Sequence, residues 1–516
     1  MPFCQVGVVV AVVFQRFEIC TPTPGAMAVQ VAHDDARDMV ERLRDAVAVS
    51  VLLGGAPWGG RGGGAVTLHG DGVRTTVDAL GAVGDACAEA GQYADDNRDI
   101  LCGVRGIVSS VLKAMAGHVG EAAVQRAGLR ALCSLAGWDC KWANQDRVGG
   151  QPGFAAGVAV AMAAHAGSLD IQLAGMEAIA NVAADNAGNQ ARIGAAPAVL
   201  GCVVAALHAH RGVAAAQVAG FDALRTLASG SAGNQRRIRR SPGAIEGVLD
   251  GMAAHEGAEG VLWGGLWTLS VVVANHPAAK ERVGGQHAVD MIVGAMRTHA
   301  GSYPVVANAA AFLYTLASNH APSKDRIGAT PGAIECILRC LAAHVQDTRT
   351  AVLQNCLRAL GSLAEDNPLN QERIGGTEGA IDAVVAAIAA HPGMERAPLR
   401  VQRNGLRALS ALAASTGNQH QMRATPALLR LLASTADAGG AAAGAGAGAV
   451  VRHAAAVQHA VAILLALGMS PAQARAAAAE VSAPLPPRLP LPLPLPLPLH
   501  RTPDTAIAIA IASLVD

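Results

Sequence analysis

The sequence is poor in aromatic residues, at 3% of 516 positions, and poor in charge, at 15%. Sheet-rich folds draw on aromatic and β-branched side chains, whereas Ala, which dominates the apolar share here, is the best helix former. The scarcity therefore argues for an all-α chain. Lys plus Arg equals Asp plus Glu at 39 each, so no global field draws a nucleic acid or an anionic membrane, and neither is an expected partner. Ten cysteines are too few for a disulfide framework and none forms Cys-x-x-Cys, so reduced thiols are expected; the nearest pair is Cys336 and Cys340. The apolar "VGVVVAVVFQ" near the N-terminus is too short to span a bilayer and has no basic residues ahead of it.

Chemical motifs are equally scarce. No Gly-x-x-x-x-Gly-Lys-Ser/Thr follows a strand pattern, and "GGRGGGA" lacks the Lys and hydroxyl that phosphate chemistry uses. His255-Glu256 has no second His at the zinc-protease spacing, and no Gly-x-Ser-x-Gly elbow occurs. These absences imply no enzyme and no cofactor.

What is present is a repeat. "NQDRVGG" at 144, "NQARIGA" at 189, "NQRRIRR" at 234, "KERVGG" from 280, "KDRIGAT" from 324 and "NQERIGG" at 370 share one pattern. With Ala279 and Ser323 in the Asn place of the degenerate copies, the starts lie 45, 45, 45, 44 and 47 residues apart. Weaker copies begin at Asn97 and Asn418. Each unit reads as three helices. A short first helix starts at the Asn as N-cap and ends at the glycines. A second follows, with Pro242 or Pro331 near its start. A third carries one apolar stripe, for example Leu129, Leu132 and Leu135, or Phe221, Leu224 and Leu227.

A unit of this size cannot bury its own faces, so neighbours must stack. The expected fold is a right-handed α-α superhelix of about seven to eight three-helix repeats over residues 97–432. Residues 1–26 are expected to lie outside the fold, and 27–96 to form a degenerate helical cap with a Gly-rich insert. Residues 433–482 read as a flexible Ala/Gly tract and terminal helices, and 483–516 as a Pro/Leu low-complexity tail.

Two other columns are periodic. His118, His165, His210, His255, His299, His344 and His391 fall at one place in the repeat. Equivalent positions in stacked repeats are roughly 10 Å apart, too far to share a metal ion. A His at the end of helix two, before a Gly, instead suits capping of carbonyls. The Arg column (Arg147, Arg192, Arg237, Arg282, Arg326, Arg373) is expected to tie neighbouring repeats, with a phosphate-binding stripe the lesser alternative, strongest at "RRIRR", residues 236–240.

"NQ-x-RIG", followed by "GAI" at Gly243, Gly332 and Gly379 and by third helices such as "VQRNGLRALSALA", resembles an armadillo repeat. The resemblance implies an armadillo-like solenoid that binds an extended peptide or another protein along the groove of its third helices. The family's peptide-clamping Asn ladder corresponds to Ser134, Asn181, Thr226, Val271, Thr315, Ser362 and Ala411, a departure that leaves one Asn. Candidate groove residues are Arg126, Arg130, Glu177, Asn181, Asp222, Trp263, Trp267, Gln354, Arg358, Arg403 and Arg407. The resulting expectation is a monomeric, cytoplasmic or nuclear, non-catalytic scaffold. A nuclear transport adaptor or chaperone cofactor with the same solenoid is the alternative.

Overall fold

The computed structural model describes residues 73–479, apart from positions 75, 79, 82, 85–97, 100, 103–105, 138–141, 393–394 and 442–446. Residues 1–26, nearly all of the expected N-terminal cap with its Gly-rich insert, and the Pro/Leu tail lie outside the described residues. The chain divides into two compact units, Met1–Ala333 and Ile334–Asp516.

In the first unit, helical residues between 73 and 102 precede α1 (Ile107–Gly117) and α2 (Ala122–Ala136), the second and third helices of one repeat. Complete repeats follow: α3 (Trp142–Gly149), α4 (Phe154–Ala164), α5 (Leu169–Ala183); then α6 (Ala187–Gly194), α7 (Pro197–Ala209), α8 (Ala214–Ala228). The next are α9 (Ala232–Arg240), α10 (Ala244–Ala254), α11 (Glu259–Val273), and α12 (Pro277–Val283), α13 (Gln286–Thr298), α14 (Tyr303–Ala317), before α15 (Ala321–Ala329). The second unit comprises α16 (Ala333–Ala343), α17 (Ala351–Ala364), α18 (Pro368–Gly376), α19 (Ala380–Ala389), α20 (Arg396–Leu412), α21 (Thr416–Arg423), α22 (Pro426–Ala441), α23 (Ala447–Ala466) and α24 (Pro471–Ala479).

Within each unit each third helix packs on its counterpart one repeat on: α2 on α5, α5 on α8, α8 on α11 and α11 on α14 in the first, α17 on α20 and α20 on α23 in the second. That is an all-α helical-repeat solenoid. The expected third-helix stripe is its core: Leu129, Leu132, Leu135, Met176, Ile179, Val182, Phe221, Leu224 and Leu227 are all fully buried. α23, which contains "VQHAVAILLA", packs on α20 as a further third helix. The Ala/Gly tract departs from the expectation, because helix extends to Ala441 and resumes at Ala447, in keeping with the helix propensity of Ala.

The repeat's Asn is not the cap of the first helix. The cap lies three residues earlier: the side chains of Asn186, Ser231, His276, His320 and Asn367 accept from the backbone N–H of residues 189, 234, 279, 323 and 370. Ahead of four of these caps stands a left-handed residue, Asp185, Asn275, Asn319 or Asp366, with φ of 49–56°; Gly230 serves the fifth. Asn, Asp and Gly are the residues that tolerate this conformation.

The Asn itself is fully buried and serves as a staple. Asn189 donates to the carbonyls of Gln145 and Val182 (2.8 Å each), and Asn234 to those of Gln190 (2.7 Å) and Leu227 (2.8 Å). One bond thus reaches the preceding first helix and the other closes the end of a third helix. Pro242 and Pro331 are likewise outside helix two, in the turn before Gly243 and Gly332, whose φ values are 75° and 79°. Pro197, by contrast, occupies the first turn of its helix two.

Candidate functional site

The periodic His and Arg columns are joints. His165, His210, His255, His299 and His391 follow helix two, and each Nε2 bonds a carbonyl of the preceding repeat's loop, at Val119, Ala166, Arg211, Glu256 and Val345, over 2.8–3.1 Å. The sequence suggested caps for the histidine's own helix; the geometry makes them ties between repeats. The last carbonyls of helix two are instead met by a buried glutamine of helix three: Gln125 bonds Met115 and His118, Gln172 bonds Met162 and His165, and Gln217 bonds Leu207 and His210. Among the described residues no cluster of His, Cys, Asp and Glu is arranged to hold a metal.

Arginines divide between local and inter-repeat work. Arg147, Arg192, Arg237 and Arg373 donate to the staple Asn three residues before them. Arg192 also lies 3.6 Å from Asp146 and Arg326 3.1 Å from Glu281, both one repeat back, while Arg282 holds Glu246.

The third-helix face carries the groove candidates. In the first unit, Trp263 is half-buried and Trp267 is 41% exposed, with ring centroids 6.0 Å apart and planes tilted by 42°. Arg225 on α8 lies over the Trp267 ring, 4.2 Å from its centroid, and its guanidinium also donates to Asp222 at 3.0 and 3.2 Å. Asp222, Arg225 and Trp267 are therefore one bridged set across two repeats, sharing an ion pair and a cation–π contact. The sequence columns contained Asp222 and both Trp but missed Arg225. Its signal was the i,i+3 spacing from Asp222 on one helix face.

Toward α2 the face changes character. Arg126 is exposed and pairs with Asp170 at 3.2 Å. Partial withdrawal from water raises the Glu177 carboxyl above its ordinary range, while the nearby charge of Arg130 opposes the rise. Asn181 does not project as a free clamp, because its amide donates to Cys133 Sγ at 3.1 Å. Burial first, then the charge of Glu177, pushes the Cys133 thiol up to about 12, so it stays a thiol rather than a nucleophilic thiolate.

In the second unit, Gln354 donates to Thr350 at 2.7 Å and Arg358 lies 3.5 Å from Asn355. Arg407 reaches both oxygens of Glu365, at 2.8 and 3.0 Å, and Arg403 is exposed on the same helix. His459 on α23, a residue absent from the groove columns, is lowered by burial and then by the charges of Arg407 and Arg403. This face carries Arg358, Arg403 and Arg407, and Glu365 pairs with Arg407.

No family model matches the chain, and no curated protein sequence matches it. Solved structures do. An engineered protein aligns at a TM-score of 0.55 and 16% identity, over 81% of this chain and 95% of its own. A structure reporting a phosphorylation switch that controls the interaction between cadherin and β-catenin aligns at 0.53 and 13% identity, over 86% and 98%. Uso1 aligns at a TM-score of 0.45 and 10% identity, over 79% of this chain and 63% of its own. At these identities the likeness is one of fold, and the chain is similar to helical-repeat proteins.

Proposed function

We propose that the chain is a non-catalytic, armadillo-like scaffold that binds a partner protein or extended peptide along its third-helix face. The observation that carries this reading is the indole pair. Trp267 leaves 41% of its surface exposed although Trp makes up 5 of 516 residues and Ala could pack the same helix. Trp and Arg are the side chains most enriched at binding hot spots, and here Arg225 stacks on the ring that a partner would cover. A β-catenin structure in which cadherin is the partner lends the fold a precedent for protein binding. Cys133, Cys202, Cys340 and Cys356 are free thiols, which fits action inside the cell. A transport adaptor gripping basic peptides is less well supported, since Asn181 is committed to Cys133 and Asp222 to Arg225.

The test is affinity capture with the full chain and with a Trp263→Ala/Trp267→Ala variant. Partners that occupy this face should bind the variant about 30-fold more weakly or worse. Unchanged recovery of every partner, with unchanged helical content, would overturn the assignment.

A further inference from the structure

The "RRIRR" segment of α9 departs from most of the other first helices, which place an acidic residue before the periodic Arg. The position before the periodic Arg is Asp146, Ala191, Glu281, Asp325 or Glu372 in the other repeats, and Asp146 and Glu281 answer the arginine of the following repeat. In α9 that position is Arg236. It is exposed, as are Arg237 and Arg240, and Arg236 and Arg240 share a helix face at i,i+4. Among the described residues neither Arg236 nor Arg240 has a hydrogen-bond or ion-pair partner. α9 contains no acidic residue; the next in sequence, Glu246, is held by Arg282.

Structural demands account for only part of this charge. Arg239 turns inward and donates to the Val272 carbonyl at 2.6 Å, and Arg237 supports Asn234. A helix C-terminus also favours cations in its last turn, which covers Arg240. Arg236 is explained by neither, and its charge crowds the half-buried Arg239, whose pKa falls through burial and then through Arg236. Uncompensated like charge on one helix face is a cost to the free protein that an anionic partner relieves.

We propose that Arg236, Arg237 and Arg240 form a second interaction surface, on the first-helix side of the stack, that binds a short acidic peptide segment of a partner protein. The chemistry favours a peptide over nucleic acid. Nine residues make a helix of about 13 Å, which spans a few charges only. The chain's net charge is zero, so it lacks the broad field that recruits a polyphosphate backbone, and α9 carries no aromatic side chain for stacking bases. Carboxylate and phosphate both suit a guanidinium fork, so an Asp/Glu run and a phosphoserine segment share the required chemistry.

The experiment measures fluorescence anisotropy of labelled peptides with the full chain at low and physiological salt. The probes are an Asp/Glu-rich peptide, a phosphoserine peptide of equal charge, a neutral Asn/Gln analogue and a single-stranded oligonucleotide of equal charge. One or both acidic peptides should bind at least tenfold more tightly than the neutral analogue. Arg236→Ala/Arg240→Ala, which leaves the inward Arg239 intact, should remove that margin, and Arg236→Glu/Arg240→Glu should abolish binding with helical content unchanged. Trp263→Ala/Trp267→Ala should leave it unaltered, which separates this surface from the indole face. Equal binding of acidic and neutral peptides, or no loss in the arginine variants, would overturn the proposal. So would tighter binding of the oligonucleotide, which would make nucleic acid the partner class.

Discussion

Two kinds of joint close the stack, and they solve one packing problem in opposite ways. At Gly149, Gly194 and Gly375 the buried Asn189, Asn234 and Asn418 of the next repeat press against bare backbone; a Cβ added at any of these glycines would lie within 2.4 Å of the amide. Each Asn then reaches the end of a third helix, at Val182, Leu227 or Leu412. At the equivalent glycine position α9 has Arg239 and α21 has Arg423. There the arginine runs forward and caps the third helix itself, at Val272 (2.6 Å) or Leu467 (3.0 Å). In the first case the next repeat has Ala279 in place of Asn. A small residue and a long donor have exchanged sides, and the same orphan carbonyl is satisfied in both. The constraint that shapes the sequence is thus the carbonyl at the end of helix three, not the identity of the residue that meets it.

The sharpest way to break this comparison is Gly194→Ala. Its methyl meets Asn234 with no room to move, so overpacking and the loss of two buried amide bonds act together, for about 3–4 kcal/mol by urea denaturation. Arg239→Ala should cost much less, about 1 kcal/mol, because it creates no clash and a half-exposed site admits water. Asn234→Ala falls between, at about 2–3 kcal/mol, since the Gln190 and Leu227 carbonyls lose their partner in a buried site. The exchange itself is tested by a double-mutant cycle. Arg239→Gly and Ala279→Asn should each destabilise alone, while the pair rebuilds the commoner joint and recovers about 1–2 kcal/mol relative to the sum. Strict additivity would mean that the two joints are unrelated.

The stack was legible in the sequence because it rests on periodicity, and periodicity survives substitution. The stripe at Leu129, Leu132 and Leu135 and its later copies are buried as spacing alone requires. Helix starts were misplaced for a physical reason: Asn is both a good cap and a good staple, and the motif's Asn looked like the first while being the second. The dipeptides Asp185-Asn186, Asn275-His276, Asn319-His320 and Asp366-Asn367 held the answer, a left-handed residue followed by a cap. Groove residues were less legible. Columns place Trp263 and Trp267 on one helix face, but Asn181's turn onto Cys133 and Arg225's reach to Trp267 depend on the neighbouring helix, which no column of a single helix records.

The smallest effect separates the caps rather than the staples. The two repeats that lack the staple Asn, with Ala279 and Ser323, also replace the Asn or Ser cap by His276 and His320. His320 is buried, and its Nδ1 accepts from the Ser323 backbone N–H at 3.3 Å, a role open only to the unprotonated nitrogen. Burial lowers its pKa below the ordinary 6.5; Glu281, 3.6 Å from Nε2, resists the shift, and Lys280 and Arg326 add to it. The unfolded chain therefore takes up this proton at a higher pH than the folded one. The cap's contribution is intact above pH 6.5 and is lost as pH falls through that value toward the lower folded pKa. His320→Asn, which supplies a cap without a titrating nitrogen, should leave stability at pH 7.5 nearly unchanged and flatten its decline between pH 6.5 and 5, as read by urea midpoints across pH. Glu281→Gln should steepen the same decline, because it removes the charge that supports the imidazolium. If both variants track the parent chain across that range, His320 is not the titrating cap and the His-capped and Asn-capped repeats respond to acid alike.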